Sequence, residues 1–452
     1  MSRWKSGFAL LLWAPALLRA QDLNLSLAAT EASAVARSPQ LAAQGAAEAA
    51  AEFRARAQNG RRAPALSLDG NLRYLSEIPA FRPTPAAPPV EMGDHRNYSL
   101  GPTLTWTVWD FGSLRSSAQS LTALAGARAN DRDGAERRLR LAVRMAYFQT
   151  RGCLERLRLV ADALRLAQAQ HHDIDLRRTA GAASREDTLK AHGEVLARRR
   201  ALREAQTDLA GALRDLLALA NQAVDVDLTR PWPRGIARPA EVTEPSATVA
   251  LDDEASLLTR FAPAMEYPFD ARHPDLQSLE NQARAADRAA AGLRGGHGPA
   301  VVLSARSSRD YPNGPVHETI TQNSAGATLR WSLFEGGRAV RETDEQESLA
   351  RAARERRRQG EEDLRRDWAK ARDRWAGARE ETDLNRAAIE ERTEVARLTY
   401  DAYRAGRTPF LEVQSANLQL LDAQTALARS RLAELSQLAV MEFLSTKGSV
   451  SP

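Results

Sequence analysis

The sequence predicts an exported α+β membrane protein, internally duplicated, in which each chain supplies two long antiparallel helical hairpins and four β-strands. Three observations predict it. The chain repeats itself at a spacing of 225 to 235 residues. Two stretches of some sixty-five residues carry helical patterning and no proline. Short segments that alternate apolar and polar residues precede each of these stretches.

The duplication comes first, because a repeat constrains everything between its copies. Thr103–Gly112 (TLTWTVWDFG) aligns with Thr328–Gly337 (TLRWSLFEGG) at a shift of 225, with four identities. The same shift carries Ala180-Gly181 onto Ala405-Gly406 and Asp187 onto Glu412 without a gap. Upstream, Ala36–Leu41 matches Ala271–Leu276 and Pro64 matches Pro299 at a shift of 235. The ten-residue difference falls between Tyr74 and Tyr98, where the first half carries a proline-rich stretch ending at Pro89. Each half reads as a short helix, strand, variable loop, strand, very long helix, tight turn and second long helix.

The boundaries follow from this order. Residues 1–20 read as a signal peptide: Arg3 and Lys5 precede the apolar run Phe8–Leu18, and Ala20 offers a cleavage point before Gln21. The first half comprises an N-terminal helix (21–62), a strand pair with its loop (63–112) and a helical hairpin (113–221). A proline-rich connecting or equatorial segment (222–268) leads to the second half, with its helix (269–298), strand pair (299–337) and hairpin (338–445). A tail (446–452) ends the chain.

In the strands, Leu66, Leu68, Leu72 and Tyr74 share one face, and Ser67, Asp69, Asn71 and Arg73 the other. Leu104, Trp106 and Val108 alternate with Thr103, Thr105 and Thr107; Leu329, Trp331 and Leu333 alternate with Thr328, Arg330 and Ser332. A lipid-facing barrel strand shows this pattern, and so does a half-buried strand of a soluble sheet. The helices separate the two readings. A sixty-five-residue helix is a rod of about 100 Å, too long to bury its stripe in a globular domain, so it must pack as an antiparallel hairpin. Four strands cannot close a barrel alone, and an open sheet edge in hydrocarbon leaves backbone groups unpaired. The barrel is therefore shared between copies. Each rod ends in a glycine turn, Arg178–Ser184 and Tyr403–Pro409, followed by a helix restart. Acidic Asp187 and Glu412 near the restarts suit the dipole of the new helix.

Composition excludes other classes. With 63 Lys+Arg against 58 Asp+Glu in 452 residues, the net charge of +5 is too small for a dedicated nucleic-acid binder. One cysteine, Cys153, excludes intrachain disulfides and multi-cysteine metal sites and reads as a buried thiol. No cysteine follows the signal run to carry a lipoprotein anchor. Beyond that run, no stretch approaches the ~20 apolar residues of a transmembrane helix. There is no nucleophile triad, Walker loop or dinucleotide fingerprint, and Gly295-Gly-His-Gly298 lacks the strand-before, helix-after context. His171, His172 and Asp175 have spacing that could bind a metal, but an exposed polar face explains them more simply. No enzyme, cofactor or metal site is expected.

Taken with the order of elements, the two strand-to-helix junctions (Trp106–Gly112 and Trp331–Gly337) and the turn Ala402–Asn417 closely resemble the TolC-like outer-membrane channels of drug efflux and type I secretion. The resemblance covers nearly the whole mature chain. It implies a homotrimer in outer-membrane lipid, with three chains building one twelve-stranded barrel and a periplasmic tunnel of twelve helices. It further implies an outer-membrane exit duct, gated at its periplasmic tip and opened by a periplasmic adaptor (membrane fusion protein) coupled to an inner-membrane pump of RND or ABC type. By position, Gly181 and Gly406 would lie in adaptor-contacting turns, Asp187 and Tyr403 in the tip network, and Glu412 in an acidic ring at the constriction. Two departures stand out. The family's second constriction acid falls on Ser415, and its basic gate partner falls on Thr408, with Arg407 the nearest arginine. The alternative, an exported coiled-coil structural or adaptor protein, lacks the paired lipoyl-like segments an adaptor needs.

Overall fold

The computed structural model describes residues 23–82, 84, 88–222 and 249–446. The expected signal peptide (1–20), residues 223–248 of the connecting segment and the tail from 447 lie outside the described residues. β1 (Leu23–Leu25), α1 (Leu27–Arg37) and α2 (Pro39–Gly60) open the chain, followed by β2 (Ala65–Tyr74). A small hairpin, β3 (Ala80–Phe81) and β4 (Val90–Glu91), precedes β5 (Arg96–Trp109), α3 (Ser113–Thr179) and α4 (Arg185–Leu219). β6 (Val249–Leu251) and α5 (Glu254–Phe261) begin the second half, which continues with α6 (Pro274–Gly296), β7 (Ala300–Tyr311) and β8 (Ile320–Arg330). The last two helices are α7 (Arg338–Arg404) and α8 (Phe410–Leu444).

The halves match in length where the sequence repeats. α3 and α7 each have 67 residues, and α4 and α8 each have 35. At 1.5 Å per residue the longer pair are rods of about 100 Å. Each is entered through a left-handed glycine, Gly112 (φ +81°) or Gly337 (φ +79°), which turns the chain from strand into helix.

The single N-terminal helix expected over 21–62 is two helices. Proline disfavours helical geometry in the residue before it, and Ser38, at ψ 115°, ends α1 and caps α2 by accepting from the Leu41 amide at 3.2 Å. His273 does the same before Pro274, with Nδ1 3.4 Å from the Asp275 amide. Part of the expected connecting segment also folds, because β6 pairs in parallel with β1.

Strand order is β2-β5-β7-β8, antiparallel throughout, which leaves β2 and β8 as edges. Gly101 lets β5 pass close to β7, since a Cβ there would lie 2.0 Å from the Ser307 carbonyl oxygen. The burial of the sheet is inverted relative to a soluble one. Leu66, Leu68, Leu72 and Tyr74 of β2 are all at least 70% exposed. On β5, Leu100, Leu104, Trp106 and Val108 are exposed, whereas Ser99, Thr103 and Thr107 on the opposite face are partly covered. A soluble sheet packs its apolar face and wets the other; here the apolar face is bare, as a lipid-facing wall is. The fourth strand stops earlier than its alternation suggests. β7 begins at Ala300, whose partner is Arg330, so Trp331 and Leu333 have no strand to pair with. β5 reaches Trp109 because a bulge after Thr107 lets Trp109 meet Val301.

Helix neighbours run in the same order as the strands. Toward the sheet the order is α2-α3-α6-α7, and toward the turns it is α4-α3-α8-α7. At mid-height α1, α3, α4, α5 and α8 meet in one core of Leu27, Val143, Tyr147, Phe148, Leu216, Phe261 and Leu435. The Tyr147 hydroxyl donates to the Leu25 carbonyl at 2.8 Å and accepts from the Asp252 amide at 2.7 Å, fastening β1 and β6 to α3. Much of the buried charge is paired: Glu31 accepts from Arg144 at 2.7 Å and Arg260 at 3.1 Å, and Arg137 meets Asp270 at 3.1 Å. Cys153 is half-buried rather than buried, and burial raises its thiol pKa. Among the described residues, no helix is long and apolar enough to cross a membrane.

Candidate channel gate at the helical turns

The two turns close in the same way. Gly181 (φ +76°) donates its N–H to the Arg178 carbonyl at 3.0 Å, and Ala182 donates to Arg177 at 2.8 Å. Gly406 (φ +71°) donates to Tyr403 at 2.9 Å, and Arg407 to Ala402 at 2.9 Å. Both satisfy the last carbonyls of the helix through a left-handed glycine. An added Cβ would meet nothing within 4 Å at either position, so glycine is required by conformation and both turns face open solvent. The restarts differ. Ser184 accepts from the Asp187 amide at 3.0 Å as a side-chain cap, while Pro409 stands at the N-cap of α8, one position before the helix, with no side-chain cap.

Above the turns, a small core of Ile174, Ala191, Tyr403, Phe410 and Val413 joins the two hairpins. Polar ties surround it. Tyr400 donates to Asp173 at 2.9 Å, Arg177 donates to the Arg404 carbonyl at 2.7 Å, and Asn417 donates to Gln170 at 3.0 Å. The Arg177 guanidinium lies 5.6 Å from the centre of the Tyr403 ring, within cation–π range.

Asp187 and Tyr403 come together here. The Tyr403 hydroxyl is held above its ordinary pKa first by burial, then by the Asp187 charge and a hydrogen bond to Asp187. Burial and the Asp173 contact push Tyr400 up to about 12. Both hydroxyls therefore stay neutral donors at any physiological pH.

The other candidates stand apart from this pair. Arg407 is exposed on the turn and makes no ion pair among the described residues. Thr408, where a basic partner was expected, keeps a buried hydroxyl without a hydrogen-bond partner. Glu412 and Ser415 are exposed one turn apart on α8, and Gln419 continues their row with its amide 3.5 Å from Ser415 Oγ. The basic group that reaches Tyr403 is Arg177 of α3, which the sequence reading missed. Nothing in the sequence separates it from the neighbouring arginines, since only the fold brings α3 against α7 at that height.

The family model for outer membrane efflux proteins matches residues 32–222 and 269–444, spanning both halves. The chain belongs to the outer membrane efflux protein family. This makes it a passive outer-membrane efflux channel of mixed helix and strand, not an enzyme. Its sequence matches no curated protein. In fold it is similar to CusC (15% identity, TM-score 0.73, covering 93% of this chain and 92% of that one). Similar too are VceC from Vibrio cholerae (18%, 0.72, 92% and 95%) and the open state of MtrE from Neisseria gonorrhoeae (16%, 0.71, 92% and 88%). Efflux proteins of this family are trimeric channels that work with adaptor and inner-membrane pump partners.

Proposed function

We propose that three copies of this chain form the exit duct of a tripartite efflux or type I secretion system. In this reading β8 of one copy pairs with β2 of the next, closing twelve strands in outer-membrane lipid, and α7 meets α2 of the neighbour below the barrel. The observation that carries the reading is the parallel order of strands and helices, which leaves edges on the same two sides of the chain and an apolar sheet face uncovered. The experiment is the mass of the detergent-extracted outer-membrane protein. A trimer of 49.5 kDa chains, about 150 kDa before signal removal, supports it. A soluble periplasmic monomer overturns it, because four strands cannot span a membrane by themselves.

The periplasmic tip acts as the gate. Asp187 and Tyr403 latch one hairpin to the other, Arg407 extends from the turn toward a neighbouring copy, and the turns at Gly181 and Gly406 receive an adaptor. Three Glu412 carboxylates, ringed at the constriction with Ser415 one turn away, would favour cations. Glu412→Gln is expected to lower cation over anion selectivity in single-channel recordings; unchanged selectivity removes Glu412 from the constriction. RND-type and ABC-type pumps both suit such a duct, and the pump and adaptor set the cargo.

A further inference from the structure

The three tip-proximal histidines divide between two helices, and the structure pairs two of them. His171 lies on α3, ten residues before Gly181, and His192 lies on α4, eleven residues after it. The antiparallel hairpin therefore brings them level, about 15 Å above the turn at 1.5 Å per residue. Their ring centroids are 5.4 Å apart and the rings are inclined at 51°. That separation lies in the range of a tilted ring pair, and it is also the separation two imidazoles keep when they share one ion. Metal–nitrogen bonds of about 2.1 Å place each ring centre about 3.2 Å from the metal, so two rings at a tetrahedral angle have centres about 5.2 Å apart.

We propose that His171 and His192 form a divalent transition-metal site that bridges α3 to α4. Imidazole nitrogen suits zinc, copper and nickel over calcium or magnesium. The nearby carboxylates are committed elsewhere, Asp175 to Arg178 at 3.1 Å and Glu194 to Arg198 at 2.6 Å. Among the described residues, no three His, Cys, Asp or Glu side chains converge. The ion is thus held by two protein nitrogens, with water in its remaining positions. His192 is exposed and His171 partly so, which gives the ion access and permits exchange. His172, adjacent in sequence, points around the helix from its neighbour and takes no part. A bound ion cross-links the hairpin just above the segment that carries Asp187.

The test is equilibrium dialysis of the tag-free, full-length trimer in detergent against Zn²⁺, with thermal unfolding as a second readout. The wild type is expected to bind one ion per chain and to gain thermal stability on adding Zn²⁺. His171→Gln and His192→Gln should each weaken binding at least tenfold and abolish the thermal gain, while His172→Gln stays within twofold of wild type. All three positions are at least partly exposed, and retention of the trimer in each variant confirms folding. Equal binding by the wild type and the His171→Gln/His192→Gln double variant overturns the proposal. So does loss of binding in His172→Gln.

Discussion

α3 and α7 are the same length, start and end on left-handed glycines, and occupy equivalent places in the two halves, yet they bury different things. α3 buries Val143, Tyr147, Phe148, Leu154, Leu157, Val160, Leu164 and Ile174. α7 buries only Thr343, Ala350, Ala353, Ala371, Ala378, Thr382, Ala396 and Tyr403. The helix order explains the contrast. α3 has a neighbour from its own chain on both sides along its whole length, first α2 and α6 and then α4 and α8. α7 is at the rim for most of its length, with α6 or α8 on one side, and meets α3 only at the tip. A duplicated helix thus keeps its length, fixed by the strands and turns it connects, while its composition follows its place in the ring. The small residues on α7 allow close approach to α8, and its charged remainder faces water or another copy.

A wide gap between the halves is at Phe148, which the 225-residue shift places on Asp373. Phe148 is 1% exposed and meets Phe261 edge to face at 5.7 Å, while Asp373 is exposed. Phe148→Ala should cost ~3–5 kcal/mol in denaturant unfolding, and Asp373→Ala should stay within about 0.5 kcal/mol. If Asp373→Ala instead dissociates the oligomer, a neighbouring copy covers the rim of α7 at that height, and the contrast belongs to the isolated chain.

The caps of α2 and α6 give the next contrast. Ser38 caps with a hydroxyl and is indifferent to pH near neutrality. His273 caps with an imidazole that is fully buried, and its pKa is lowered first by burial, with Asp275 and Asp270 opposing and Arg137 and Arg138 adding to the effect. The folded chain therefore resists a proton that the unfolded chain accepts near pH 6.5. Stability is complete above that pH and falls as the pH drops below it. The loss should show as lower stability at pH 5 than at pH 7 in denaturant unfolding. His273→Asn should flatten the profile between pH 7 and 5, and an unchanged profile would assign the acid sensitivity elsewhere.

Much of this architecture is legible in the sequence because it depends on strong local signals. Proline-free length, glycine at Gly112, Gly181, Gly337 and Gly406, and the two-residue period of β2 and β5 need no tertiary information. What is not legible depends on partners. The end of β8 is decided by where β7 begins, and β1 and β6, at three residues each, carry no periodicity to read. The tip divides the same way. Asp187 and Tyr403 could be located from the repeat and the family pattern, but Arg177 could not. The level pairing of His171 with His192 was available in principle, since both are nearly equidistant from Gly181. Along α3 His171 shows only its sequence neighbours, and His192 comes from the facing helix.

The turns, by contrast, should behave alike. Gly181→Ala and Gly406→Ala each force a left-handed residue to carry a Cβ that meets no other atom. Each should cost about 1 kcal/mol, the conformational penalty alone. A markedly larger loss at one turn would reveal a contact there from another copy.

The smallest expected effect bears most on function. The 225-residue shift places Arg178 on Tyr403. Arg178 is exposed and pairs with Asp175 one turn earlier on its own helix, an arrangement that contributes little in water. Tyr403 is 7% exposed and lies beside Asp187 of the other hairpin, which helps hold its hydroxyl pKa up. Tyr403→Phe keeps the ring, its packing on Phe410 and the Arg177 contact, and removes only the hydroxyl. Its cost in stability should be ~0.5–1.5 kcal/mol, the net value of one hydrogen bond, and Arg178→Ala should be neutral. Conductance separates them further. If the contact between hairpins holds the tip shut, Tyr403→Phe raises the open probability of the resting channel severalfold, while Arg178→Ala, whose contact stays within α3, leaves it unchanged. Equal leak from both variants would mean that the tip is held by its apolar core, with Asp187 serving only to start α4.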